Sequence, residues 1–283
     1  MNAEDWEGLD AAALAPLVLF LRERIGDGLR SLVLFGSCLS ARLRRPGSIP
    51  DFLAILDEGS LKSALPRLGC RTLTRCLASI LPPLTLALRP DGQGAALAKL
   101  NLIEARTADD ELARLPDLYL AGRLSKRTAV LYARNPSCQA ELQRFCARAA
   151  LAVAELTVLD LPRRFSLSTA VRACISLSYR AEVRPEGAQK WELLYDSFAA
   201  HYDEFFAAPL FAAAVAKGLR WDGQLGLFRD ERTDSARGAG RAELLALVRR
   251  SRRRSVLRWP KQVLVYQGWL AYVGDKCRRL RQI

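Results

Sequence analysis

Leu34-Phe35-Gly36-Ser37, a basic loop, and then Asp51 at the head of an apolar run form the stretch whose residue types and spacing can do chemistry. A turn built from glycine and serine offers small side chains and backbone N–H groups, so an anion such as a phosphate can come close. A carboxylate heading the next strand is a ligand for a hard divalent cation. A strand, a turn and a polar strand end also occur together by chance, with no such role. Other chemistries are poorly supplied. The seven cysteines (38, 70, 76, 138, 146, 174 and 277) are scattered and never spaced C-x-x-C. With one histidine, His201, no zinc ligand set can be assembled. A disulfide framework is equally unsupported, and a reducing cytosol is the natural reading. His201 lies in Phe198–Phe206, which reads as an amphipathic helix, and is expected to be structural.

Those residues need elements to hold them. Residues 10–25 read as a helix with Leu14, Leu17, Val18 and Leu21 on one face. Ser31–Phe35 is a short strand followed by the Gly36-Ser37 turn. The loop Arg42–Pro50 leads to a second strand, Asp51–Leu56, closed by Asp57-Glu58-Gly59. Residues 84–88 and 99–103 supply two more strands around the turn Arg89-Pro90-Asp91-Gly92. From about Asp109 onward the pattern is helical: Glu141–Leu159, a helix capped by Ser166 or Ser168 and running through Tyr179, a break at 184–188, and Trp191–Phe206. A loose stretch, Asp222–Gly240, precedes a basic tail. The expected division is therefore 1–110, 111–221, and 222–283 as a flexible linker with a basic amphipathic tail.

At 283 residues, half of them apolar, the chain can build one large domain or two modest ones. No apolar run approaches the roughly 20 residues of a membrane span. The acidic start, Met1-Asn2-Ala3-Glu4-Asp5, is unlike a signal or transit peptide. A soluble or peripheral protein is expected. The net charge of +13 is unevenly placed: Arg249–Ile283 holds eleven Lys or Arg against one acid, Asp275. Trp259, Val263, Tyr266, Leu270, Val273, Cys277 and Leu280 recur there at spacings of four and three, on one helical face. Such a helix suits an anionic bilayer surface, with Arg252, Arg253, Arg254, Trp259 and Trp269 as its contacts. It equally suits packing on the protein or a partner helix, and the block Arg249–Arg254 suits nucleic acid.

The Gly36-Ser37 and Asp51 constellation resembles the signature of the polymerase-β-like nucleotidyltransferase fold. That resemblance implies an α+β fold in which a mixed sheet carries the site. Gly-Ser would cradle the nucleotide's phosphates, and a carboxylate on the next strand would hold Mg²⁺ while an oxygen nucleophile attacks the α-phosphate. Members of that fold commonly carry two acids at alternate strand positions, but the position two after Asp51 is Leu53. Asp57 has the right parity yet lies roughly 20 Å along an extended strand, so a second ligand must come from elsewhere.

Three further stretches narrow the resemblance. Leu118-Tyr119-Leu120-Ala121-Gly122-Arg123-Leu124-Ser125-Lys126 is similar to the "LYxAGRLxKP" motif of the mitochondrial-type phosphatidate cytidylyltransferases, the translocator assembly and maintenance protein family. Ile175-Ser176-Leu177-Ser178-Tyr179 with Glu182 and Arg184 is similar to that family's "SLSYxGDxR", and Asp51-Phe52-Leu53 to its "DF[IV]" strand. Lys99 stands where the family has the lysine of "KYG". The resemblance covers about residues 31–283, on roughly thirty positions, and departs at Cys38, Leu100-Asn101, Arg127 and Ala181-Glu182. It implies a nucleotidyltransferase domain, a mostly helical, winged-helix-like domain and a basic amphipathic C-terminal helix. The implied reaction is CTP plus phosphatidic acid giving CDP-diacylglycerol and pyrophosphate with Mg²⁺ or another divalent metal, at the inner face of the plasma membrane. By that reading Asp51, Lys99 and Glu182 are catalytic, with Asp51 and Glu182 on the metal. Gly36, Ser37, Arg123, Lys126 and Arg184 bind phosphates. Two other readings stand beside it: an enzyme of the same fold acting on RNA or a small hydroxylated substrate, and an inactive lipid-binding or assembly protein.

Overall fold

The computed structural model describes residues 11–39, 49–70, 72–77, 80–88, 98–183, 190–265 and 278. The elements begin with α1 (Ala11–Ile25), β1 (Leu29–Phe35), β2 (Asp51–Leu56), α2 (Ser60–Arg67), α3 (Thr72–Leu77), β3 (Leu84–Leu88), β4 (Ala98–Glu104) and α4 (Ala105–Arg114). They continue with α5 (Ala121–Leu124), β5 (Thr128–Ala133), α6 (Pro136–Thr157), β6 (Arg164–Ser166), α7 (Leu167–Arg180), α8 (Lys190–Ser197) and α9 (Ala199–Ala216). A hairpin, β7 (Leu219–Asp222) and β8 (Leu227–Asp230), leads into the long α10 (Asp234–Val265). The chain forms two compact units: residues 1–110, 128–143 and 256–283 make the first, and 111–127 with 144–255 the second.

The first unit is built on a mixed five-stranded sheet in the order β3-β4-β2-β1-β5. β1 is antiparallel to β2 and β5, β2 is parallel to β4, and β3 is antiparallel to β4. Leu32–Phe35 and Phe52–Leu56 are buried at every position. Neighbouring strand residues point to opposite faces, so both faces of the central strands are covered, which is why they read as unbroken apolar runs. Leu21 and Ile25 of α1 and Leu65 of α2 add to this core. At the end of the sheet away from Asp51, Asp57 is gripped by two guanidinium groups, with Arg134 at 2.5 and 3.0 Å and Arg30 at 2.8 Å. Arg30 also donates to Glu141 at 2.8 Å.

The second unit carries an antiparallel three-stranded sheet, β6-β8-β7. Phe228 is its hub, 5.2 Å from Phe165, 5.0 Å from Phe211 and 4.7 Å from Trp221 between ring centroids. Ser166 caps α7, its hydroxyl accepting from the Thr169 N–H at 3.2 Å, as its sequence position indicated.

The architecture is α+β with a mixed sheet, as expected, and strands β1 to β4 and helix α1 fall where the residue pattern puts them. Three expectations are corrected. The region after Asp109 is not wholly helical: Thr128–Ala133 is an edge strand, half-buried at most positions, and its pairing with β1 overrides a weak local pattern. The stretch Asp222–Gly240 is not a loose linker. It contains β8 and the start of α10, whose first turn is capped by Thr233. Its glycines misled because Gly240 is a packing glycine: a Cβ there would stand 3.2 Å from Leu159. The helix expected over Trp191–Phe206 is broken at Phe198 into α8 and α9. No helix among the described residues is long and apolar enough to cross a membrane.

The Asp57 clamp carries a pH signature. Hydrogen bonds from Arg134, then from Arg30, hold the Asp57 carboxyl below its ordinary value against the opposing cost of burial. The stabilisation from a lowered folded-state value is fully present above the unfolded pKa of about 3.9 and is lost as the pH falls through the lower, folded-state value. Asp57→Asn is therefore expected to cost about 1 kcal/mol at neutral pH. In thermal melts the gap to the parent chain should close below about pH 4; a gap that persists unchanged at pH 3 would contradict the clamp.

Candidate functional site

β1 ends at Phe35, and the chain turns at Gly36, whose φ of +89° is a left-handed conformation that glycine adopts without strain. A Cβ at Gly36 would meet nothing within 4 Å, so the constraint is backbone conformation and not room. Ser37–Leu39 then form a short 3₁₀ turn, with Leu39 N–H donating to the Gly36 carbonyl at 3.2 Å. Cys38, one of the departures from the family pattern, has its side chain buried.

The sheet register brings this turn to residues far off in the chain. Phe35 pairs with Asp51 across β1 and β2, and Asp51 pairs with Lys99 across β2 and β4. Paired strands lie about 4.8 Å apart, so Gly36, Asp51 and Lys99 share one end of the sheet. Asp51 and Lys99 are both half-buried. Sequence reasoning missed their neighbour Asn101, which is buried and donates to Asp51 Oδ1 at 2.8 Å and to the Phe52 carbonyl at 2.9 Å. Leu53 is in register with Asn101, so an amide and not an acid stands beside the position two after Asp51.

This donor set fits a divalent cation in part. Asp51 offers one carboxylate, and Mg²⁺ is commonly held by one or two carboxylates together with substrate phosphates. Among the described residues no group of three or more His, Cys, Asp or Glu is placed to hold a metal ion. Asp57 is committed at the other end of the sheet.

The second unit holds the other expected residues. Arg123 of α5 forms a 3.0 Å ion pair with Glu182, with side chains 13% and 6% exposed, and its guanidinium lies 3.5 Å from the centre of the Tyr119 ring. Glu182, expected on the metal, is thus charge-matched by Arg123. Lys126 stands over the Tyr179 ring at 4.4 Å. Gly122 packs on Ser178 so closely that a Cβ would lie 2.7 Å from the serine Cβ. The stretches Leu118–Lys126 and Ile175–Glu182, some fifty residues apart, are therefore one packed cluster. Arg184 and Trp269 lie outside the described residues.

Helix α10 holds that cluster from behind. Ser251 accepts from the Leu118 N–H at 3.1 Å and Ser255 from the Val183 N–H at 3.3 Å. Arg250 donates to the Leu115 and Pro116 carbonyls, and Arg254 to the Asp117 carboxylate at 2.5 Å. Arg254, expected at a membrane, is half-buried here, while Arg252 and Arg253 are exposed. Of the alternatives for the apolar face of the tail, packing on the protein is not met at its described positions. Trp259 and Val263 are 38% and 41% exposed, and the buried positions are Ser251, Ser255, Arg258 and Lys261. Tyr266, Leu270, Val273, Cys277 and Leu280 lie outside the described residues. In the first unit Arg258 donates to the Pro82 carbonyl at 3.0 Å and Lys261 to that of Leu81 at 3.2 Å. Burial, then the nearby Arg258 charge, pushes the Lys261 ammonium down to about 8.

His201 is on the exposed side of α9, stacked on Phe205 at 5.8 Å. No protein-family model matches the chain, and no curated protein matches it.

Two sets of substitutions test the cluster. Gly122→Ala is expected to cost about 2 kcal/mol through overpacking. Its combination with Ser178→Gly should fall short of the summed single effects by about 1 kcal/mol or more in denaturant titrations, whereas strict additivity would deny the contact. Arg254→Ala, which leaves the buried Asp117 carboxylate without its guanidinium, is expected to cost about 3 kcal/mol. Arg252→Ala and Arg253→Ala should stay within about 0.5 kcal/mol; three equal melting curves would overturn the clamp.

Proposed function

We propose that the chain is a peripheral-membrane phosphatidate cytidylyltransferase, converting CTP and phosphatidic acid to CDP-diacylglycerol and pyrophosphate. The observation that carries this reading is the convergence of Gly36, Asp51 and Lys99 on adjacent strand ends. A left-handed glycine turn, a carboxylate and a cation side by side are the groups that binding a nucleoside triphosphate requires. The narrower choice of substrate rests on the resemblance of Leu118–Lys126 and Ile175–Glu182, and their mutual packing supports a shared role. The order α6, β6, α7, α9, β7, β8 with β8 central supports a winged-helix-like second domain.

In this reading a phosphate oxygen of phosphatidic acid attacks the α-phosphorus of CTP. The bond to the β-phosphate oxygen breaks, and pyrophosphate leaves with that electron pair. Gly36 and Ser37 admit the triphosphate, Lys99 offsets its charge, and Asp51 would hold a divalent metal, which when bound supplies neutralisation of the phosphate charge. Lys126 and Arg123 lie in the second unit, where Glu182 holds the Arg123 guanidinium. The lipid acceptor stays in a bilayer, so docking would fall to exposed basic and aromatic residues, with Arg252, Arg253 and Trp259 available among those expected.

One specific observation favours a second reading, an inactive lipid-binding or assembly protein. The side chain beside Asp51 is the amide of Asn101 and not a second carboxylate. The nucleic-acid reading gains nothing comparable. α9, which leads into the hairpin as a recognition helix would, has no Lys or Arg in its sequence.

Pyrophosphate release from each NTP with Mg²⁺, with and without phosphatidic acid vesicles, separates the readings. Turnover with CTP only when the lipid is present is expected, with at least a hundredfold loss in Asp51→Ala at unchanged melting temperature. Vesicle binding without turnover would favour the inactive protein, and an active Asp51→Ala chain would remove Asp51 from the site.

A further inference from the structure

The amide of Asn101 is fully engaged. Its NH₂ group donates both to Asp51 Oδ1 and to the Phe52 carbonyl, while its own oxygen accepts from the Thr85 hydroxyl at 2.8 Å. The three side chains come from three adjacent strands: Thr85 of β3 pairs with Asn101 of β4, two residues along from the Lys99–Asp51 pair. The orientation is unambiguous. Turning the amide over would put its oxygen against a carboxylate and a carbonyl, both acceptors, and its NH₂ group toward Thr85. The two acceptors, the Asp51 carboxylate and the Phe52 carbonyl, therefore fix which way the amide faces, and the Thr85 hydroxyl then donates to the amide oxygen and holds it in place. The buried amide in turn fixes the rotation of the Asp51 carboxylate.

We propose that Thr85 and Asn101 form a relay that positions Asp51, tying Oδ1 to the sheet and presenting Oδ2 as a single, pre-oriented oxygen for a divalent cation. The proposal rests on the assignment of Asp51 to a metal–nucleotide site, but not on the identity of the nucleotide acceptor. It explains how one carboxylate can serve where two are usual. A lone carboxylate free to rotate binds a cation with a loss of side-chain freedom, and a carboxylate already held loses less. Outer partners of this kind typically change metal affinity by 10–100-fold when removed. Thr85 and Asn101 are positioning residues, since the metal-facing oxygen belongs to Asp51.

The test is the binding of Mn²⁺ to the full chain, followed by the loss of the free-ion electron paramagnetic resonance signal, alone and with CTP. Asp51→Ala should abolish the site. Thr85→Val, which keeps the shape and removes only the hydroxyl, is expected to weaken binding by about tenfold with no comparable change in melting temperature. Thr85→Ser, which restores the hydroxyl, should return it to within about twofold of the parent. A purely structural role for Thr85 would not separate valine from serine in this way. Equal Mn²⁺ affinity for the valine, serine and parent chains, or binding that survives Asp51→Ala, would overturn the proposal. Failure of cytidylyl transfer with Thr85-sensitive Mn²⁺ binding intact would sink the proposed function alone. Transfer that depends on Asp51 but is indifferent to Thr85→Val, with Mn²⁺ affinity unchanged, would sink the relay alone.

Discussion

Strand β2 is hydrogen-bonded on both sides, antiparallel to β1 and parallel to β4, and its two registers together decide which residues share the end of the sheet. A slip of one residue in either pairing would send Asp51 to the opposite face from Lys99 or from Phe35. Burial on both faces prevents that slip. Leu32 to Phe35 and Phe52 to Leu56 all have core partners, so no alternative register keeps them covered. The candidate site at one end of β2 and the Arg30–Asp57–Arg134 clamp at the other are thus two consequences of one pairing pattern. The same pattern separates the two acids that parity alone would have put on one face.

The second unit is held differently, by a lack of bulk. Gly122 lets α5 approach α7 at Ser178, and that approach puts Arg123 within reach of Glu182. Helix α10 then satisfies backbone groups at both ends of the cluster with serine hydroxyls and arginine donors. The N–H groups of Leu118 and Val183 are donors for which helix and sheet provide no partner, and burying such groups unmet would cost on the order of 1–3 kcal/mol each. Serine on a helix face is a weak helix former; here that drawback is outweighed by the hydrogen bonds it makes.

What was legible in the residues follows from the range of the interaction. Strands β1, β2 and β4 were readable because near-continuous burial leaves an apolar run, β3 because it alternates buried Leu84 and Leu86 with half-buried Thr85 and Ala87, and the Ser166 cap because it is made within three residues. β5 was not, since an edge strand with half-buried side chains has no strong period and takes its conformation from β1. Gly240 looked like a linker residue because close packing on Leu159 and conformational freedom call for the same amino acid. At the candidate site, Gly36 and Asp51 could be named from local pattern and Lys99 from the family resemblance. Thr85 and Asn101 could not, because their role exists only when three strands are in register.

The basic tail shows how a composition argument loses force once side chains have partners. Seven Lys or Arg lie between residues 249 and 261. Four of them, Arg250, Arg254, Arg258 and Lys261, direct their donors at carbonyls or at the Asp117 carboxylate. Lys261 is buried, which pushes its ammonium down to about 8 and keeps it from reaching a bilayer surface. Arg249, Arg252 and Arg253 are the exposed remainder. At roughly 1 kcal/mol for each basic residue near an anionic surface, Arg249, Arg252 and Arg253 contribute most directly, while Arg254 is offset by Asp117 and Arg258 and Lys261 are buried. An affinity for anionic lipid sufficient to hold the chain on a bilayer therefore needs the apolar side chains that α10 leaves exposed, Val256, Leu257, Trp259, Val263 and Leu264, as much as it needs the arginines.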